Sequence, residues 1–73
     1  MKPFNLEEAL NGKTVITRDG RTVSQLHYFD ISTFELYPIY GVIDGMRNVQ
    51  TWAKDGTFDV KTGIERQVDL FMA

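Results

Sequence analysis

Few side chains in this 73-residue sequence could carry chemistry, and they are scattered. His27 is the one histidine and cysteine is absent. Any Ser-His arrangement would therefore run through His27, with Ser24 or Ser32 as nucleophile. Neither serine stands in a strand-turn-helix elbow. A lone histidine followed by Tyr28 and Phe29 reads instead as a packed or half-exposed residue at a core edge. A metal site would need a second His or Cys at ligand spacing. Carboxylates are plentiful (Asp30, Glu35, Asp44, Asp55, Asp59, Glu65, Asp69), but no spacing forces two together. Asp19, Asp44 and Asp55 each precede a glycine and are turn formers. Phosphate-loop patterns, GxGxxG and GxxxxGK[ST], are absent. The expectation is a protein that is not an enzyme and needs no metal or cofactor.

Binding chemistry is better represented. Arg18 and Arg21 flank a turn whose backbone N–H groups could meet an anion, with Lys13 a few residues upstream. Tyr37, Tyr40 and Trp52 could stack on a base, or could equally be core or subunit-interface residues. Lys13, Arg18, Arg21, Tyr37, Tyr40 and Trp52 are thus the candidate ligand-binding set.

Composition narrows the partners. Eight basic against ten acidic residues give a net charge of −2. That disfavours direct nucleic-acid binding, which needs a basic face to displace counterions. No apolar run reaches membrane-spanning length, and the first ten residues lack a signal-peptide core, so a cytoplasmic, non-membrane protein is expected. A chain this short with no disulfide sits near the lower limit for one self-sufficient core, while its hydrophobic fraction of 42% argues against disorder. A single domain over residues 1–73, completed by homo-oligomerisation, follows.

The elements that must position the candidates are legible. Asn5 can cap a helix over residues 5–11, with Glu8 at the capping-box position and Gly12 ready to end it. Strands are expected at 13–18 and 21–29. A three-residue Arg18-Asp19-Gly20 loop between them pairs Thr17 with Arg21 and Val15 with Val23, and so keeps Arg18 from facing Arg21. Residues 30–33 form a turn, and 34–36 lead into a strand at 37–43. That strand is apolar on both faces and is therefore expected to be covered on both. Pro38 confines its entry to an edge, bulge or end. Asp44-Gly45 opens the next connection, which 46–48 can lengthen. A strand at 49–53 then turns at 54–56 into another at 57–60, setting Trp52 opposite Phe58. A polar, mobile loop at 61–67 precedes a last strand at 68–72. The expected fold class is α+β: one short N-terminal helix on a twisted antiparallel sheet of five or six strands, curled toward a small barrel. Its core should hold Leu6, Leu10, Val15, Val23, Leu26, Ile39, Val42, Val49, Leu70 and Phe71.

Several stretches carry a resemblance: residues 4–13, 15–20 and 40–45, Thr51-Trp52, and the closing Asp69-Leu70-Phe71-Met72. Together they resemble short proteins encoded by tailed phages and prophages, which implies a source and a size but little about activity. A fainter similarity, carried by Ala9, Leu10, Gly12, Lys13, Val15, Arg18, Trp52, Asp69 and Leu70, is to phage sponge proteins. Those counter Thoeris immunity by sequestering a cyclic ADP-ribose-type signal. That family usually has a tryptophan just after the arginine turn, where this chain has Arg21-Thr22. The resemblance implies a phage anti-defence protein in the host cytoplasm that holds a small nucleotide-type signal without catalysis. The alternative is a protein-binding inhibitor of a host defence or transcription component.

Screens with phosphodiesterase, esterase and glycosidase substrates should show no turnover. Turnover that disappears in His27→Ala would contradict this reading.

Overall fold

The structure is a computed structural model that describes residues 2–29 and 36–73. The expected turn at 30–33, residues 34 and 35 of the lead-in strand, and the candidates Asp30, Ser32 and Glu35 lie outside the described residues. Helix α1, Leu6–Leu10, is bounded by its sequence signals. Asn5 is extended, and its side-chain oxygen accepts from the Glu8 N–H at 3.0 Å. At the other end the Gly12 N–H donates to Ala9 O and the Lys13 N–H to Glu8 O, both at 3.1 Å. This Schellman-type termination needs a left-handed residue after the cap, and Gly12 supplies it with φ of +92°.

Six strands are described: β1 Lys2–Pro3, β2 Val15–Thr17, β3 Thr22–Tyr28, β4 Ile39–Ile43, β5 Gln50–Trp52 and β6 Leu70–Met72. They form one antiparallel sheet in the order β1-β6-β2-β3-β4-β5. The β2–β3 hairpin has the expected loop and register. Val15 pairs with Val23, the Thr17 N–H donates to Arg21 O at 2.8 Å, and Gly20 is left-handed. The sheet stays open, with β1 and β5 as its two edges, so it does not close into a barrel. Strand β1 was not expected. It exists because the closing strand β6 inserts between β2 and the N-terminal residues, a long-range pairing without local signal.

Pairing sorts the side chains onto two faces. The inner face carries the rows Met72-Val15-Val23-Ile43, Leu70-Thr17 and Tyr28-Ile39-Trp52. Val15, Val23, Ile39, Ile43, Trp52, Leu70 and Met72 form the buried core there, with Phe4, Leu6, Ala9, Phe58 and Val68 packed against it. The outer face carries Pro3-Phe71-Ile16-Thr22, then Ser24-Val42, then His27-Tyr40-Thr51. Strand β4 is therefore buried on one side only: Ile39, Gly41 and Ile43 are covered, whereas Tyr40 and Val42 remain partly exposed.

Other expectations fail for local reasons. Leu10 is more than half exposed, because a helix of five residues reaches the core only through Leu6 and Ala9. Val49 is also exposed, because the connection after Asp44-Gly45 extends to it and β5 starts at Gln50. Leu6, Leu26, Val42 and Phe71 are only partly buried. No strand forms at 57–60. The hairpin bond from Ala53 N–H to Thr57 O is made, but Phe58 N–H then turns to the Asp69 carboxylate, so Trp52 and Phe58 do not form a ladder pair.

Gly41 explains how Trp52 fits. A Cβ there would lie 2.9 Å from Val23 Cγ1 and 3.3 Å from Trp52 Cζ3, so the indole packs where a side chain would stand. Its Nε1–H still finds a partner, donating to Val68 O at 2.7 Å. Gly41→Ala is expected to cost about 2 kcal/mol by overpacking, read as a Tm about 10 °C lower. A thermal melt unchanged from the parent would refute this packing.

Candidate functional site

The six candidate residues do not converge. Trp52 is fully buried in the core, and Tyr40 lies on the outer face. There Phe29 meets Tyr40 edge-on, with ring centroids 4.9 Å apart at 79°. Tyr37 stands at the entry to β4, where its hydroxyl accepts from the Val60 N–H at 3.2 Å. Lys13 borders an open recess of about 310 Å³ together with Lys2, Glu8, Thr14, Met72 and Ala73.

Arg18 and Arg21 do share the β2–β3 turn, but each is held by the chain's own carboxylates. Arg21 lies against Asp19, with nitrogen–oxygen distances of 2.8–3.2 Å. Thr17 closes this small network by donating its hydroxyl to Asp19 and accepting the Arg21 N–H. The Arg21 guanidinium, with the Thr17 hydroxyl, holds the Asp19 carboxyl below its ordinary value. Arg18 donates to Asp69 at 3.2 Å and to Arg66 O at 3.1 Å, and approaches Glu65 at 3.8 Å. Its guanidinium also stacks 4.8 Å above the centre of the Phe71 ring. An incoming phosphate would compete with these partners.

Asp69, only 7% exposed, is the junction of this region. One carboxylate oxygen accepts from the Phe58 N–H at 2.8 Å, and the other from the Arg66 N–H at 3.1 Å and from Arg18. Burial pushes its pKa up, but the two N–H groups and the guanidinium outweigh that, leaving the carboxyl below its ordinary value.

The neighbouring loop is fastened in the same way. Asp59 accepts from the Thr62 N–H at 3.2 Å, from the Thr62 hydroxyl at 2.8 Å and from the Arg66 guanidinium at 2.7 Å. Arg66 first, then Thr62, lower the Asp59 pKa. This fixed loop holds Val60 and Ile64 41% and 54% exposed, and its Val60 N–H donates to the Tyr37 hydroxyl. The sequence reading counted Asp59 among scattered carboxylates, placed Val60 on a strand, and left Arg66 and Ile64 in a mobile loop without a role. The Asp59-x-x-Thr62 spacing is a turn-forming signal that could have marked the loop as ordered.

Among the described residues, no three His, Asp or Glu side chains gather where they could hold a metal ion. Nor is any described helix long and apolar enough to cross a membrane. In comparison with known proteins, the family of Haemophilus phage HP1 protein YO09 matches over residues 1–71. No curated protein and no solved structure matches the chain.

Because Asp19, Asp59 and Asp69 titrate below the ordinary Asp value of 3.8, the folded state favours their charged forms. The stability they contribute is complete above that value and is lost as pH falls through their lower native values. Urea midpoints should hold steady from pH 7 to about 5 and then drop below about 4. Asp69→Ala is expected to cost about 3 kcal/mol at pH 7, since it strands two backbone donors and Arg18. Equal midpoints for parent and variant would refute this role.

Proposed function

This chain belongs to the family of Haemophilus phage HP1 protein YO09, and from that premise we propose that it is a non-catalytic phage accessory protein that acts by binding a host protein. The observation that carries this reading is the pair of exposed apolar side chains, Val60 and Ile64, on a loop fixed by Asp59 and Asp69. Apolar side chains held in one geometry lose little freedom on docking, so their burial converts efficiently into affinity. A bacterial defence or transcription component is the proposed target class.

The nucleotide-sponge alternative draws less support. Arg18 and Arg21 are engaged by aspartates, and Trp52 offers no exposed ring face. What favours it is the recess lined by Lys2, Lys13 and Thr14, which is open enough for a small anion.

Two measurements separate the readings. The immobilised chain, exposed to host lysate, should retain a defined protein that Val60→Asp with Ile64→Asp releases, weakening binding at least tenfold. Mass spectrometry of small molecules freed by heating the purified protein should show no nucleotide. A nucleotide released by heat, and lost from Lys13→Ala, would overturn the host-protein reading in favour of the sponge.

A further inference from the structure

Asn-Gly or Asp-Gly steps recur along the chain, at Asn11-Gly12, Asp19-Gly20, Asp44-Gly45 and Asp55-Gly56. In such a step the backbone amide reaches the preceding side chain readily, because glycine has no Cβ to obstruct the approach. The fold does not treat the four alike. The Gly12 N–H donates to Ala9 O at 3.1 Å, the Gly20 N–H to Thr17 O at 2.9 Å and the Gly56 N–H to Ala53 O at 2.8 Å. Two of the carboxylates are held as well. Asp19 accepts from Arg21 and Thr17, and Asp55 accepts from the Thr57 N–H at 3.0 Å. Asp44-Gly45 has neither restraint. Among the described residues the Gly45 N–H meets no acceptor, and the exposed Asp44 carboxylate meets no donor. Space is open there too, since a Cβ on Gly45 would find no atom beyond its chain neighbours within 4 Å.

We propose that Asp44 is a site of spontaneous backbone modification, passing through a cyclic imide to isoaspartate while the chain stays folded. The Gly45 amide nitrogen bonds to Asp44 Cγ and gives up its proton. The hydroxyl of the carboxylic acid leaves with that proton as water, and a five-membered imide results. Solvent water then adds to one of the two imide carbonyls. Opening the new bond from nitrogen to Cγ restores aspartate. Opening the original peptide bond instead leaves the chain running through the Asp44 side chain, longer by one carbon. One water is released and one is taken up.

The turn permits the motion this needs. Ring closure requires the peptide between Asp44 and Gly45 to swing toward the Asp44 side chain. In the other three steps that swing must first break the bond made by the glycine N–H. Here the peptide can rotate between its flanking Cα atoms while the Met46 N–H to Ile43 O bond, 2.9 Å, stays closed. Gly45, at φ +87°, accepts either sign of φ during that rotation. Two anchors fix the ends of the turn: the Asp44 N–H donates to Thr22 O at 2.8 Å, and Met46 packs against the core. The added carbon falls between them, so the modified chain has to rebuild the start of the β4–β5 connection. This inference is independent of the host-protein reading, which rests on a different loop.

The test incubates the folded chain and the chain unfolded in guanidinium chloride side by side, with protease digestion and mass spectrometry to map each step. An isoaspartate-specific methyltransferase scores the aspartates, and the gain in mass scores loss of the Asn11 amide. The unfolded rate divided by the folded rate is a protection factor for each step, and it cancels the intrinsic difference between Asn and Asp. Protection should be about one at Asp44 and at least about tenfold at Asn11, Asp19 and Asp55, where a hydrogen bond must open first. Asp44→Glu should abolish the modification in this turn, because its longer side chain would have to close a six-membered ring. Protection at Asp44 as strong as at the other three steps would overturn the proposal. So would modification of this turn that persists in Asp44→Glu.

Discussion

The Asp69 carboxylate ties together the half of the molecule that has little regular structure. Its acceptors hold the Phe58 and Arg66 N–H groups and the Arg18 guanidinium, and they draw the 56–66 segment, the β2–β3 turn and the start of β6 to one point. Backbone bonds reinforce the junction: Arg18 N–H to Asp69 O at 2.9 Å, and Leu70 N–H to Gly56 O at 2.9 Å. A buried carboxylate is costly unless its lone pairs are satisfied, and here three donors satisfy it. The same constraint explains why residues 57–60 do not extend the sheet. Once Phe58 donates to Asp69 and Gly56 accepts from Leu70, that segment lies along the closing strand and not along β5.

In the core itself the controlling fact is volume. Trp52 is the largest side chain in the core, and it fits because Gly41, two positions from its ladder partner Ile39, leaves room beside it. Next to it β3 carries an irregularity. Ser24 opposes Val42 and His27 opposes Tyr40, so two residues on β3 face Gly41 alone, and Gln25 there takes a φ of +53°. The bulge restores the alternation of faces beyond it, keeping Tyr28 inward and His27 outward.

These two constraints shape the surface. Aspartates occupy Arg18 and Arg21, the two arginines of the candidate set, and Gly41 leaves room for the only tryptophan inside. The apolar side chains left outside include Val60 and Ile64 on the Asp59–Arg66 loop and Phe29 against Tyr40 on the outer face. The proposed binding of a host protein rests on those surfaces, and the outer sides of β1 and β5, the sheet edges among the described residues, add strand edges to them.

Local elements were readable because each depends on residues close in sequence. Asn5 and Gly12 bound the helix, and Asp19-Gly20 sets a three-residue loop, since capping and turn preferences act within four or five positions. The one-helix sheet and half of the buried apolar core (Val15, Val23, Ile39 and Leu70) followed from the same short-range signals and from periodicity, while the phage resemblance rested on matched stretches of sequence. Pattern could not reveal which strands become neighbours. The insertion of β6 between β1 and β2 and the failure of 57–60 to pair both depend on contacts with the closing segment that no local pattern marks. The fate of the candidate site was decided there too. Arg18 meets Asp69 across fifty-one positions, and Trp52 is buried by strands on either side of it in the chain. Side-chain type set what each group could do, but the long-range closure of the sheet determined whether an arginine faced a ligand or an aspartate.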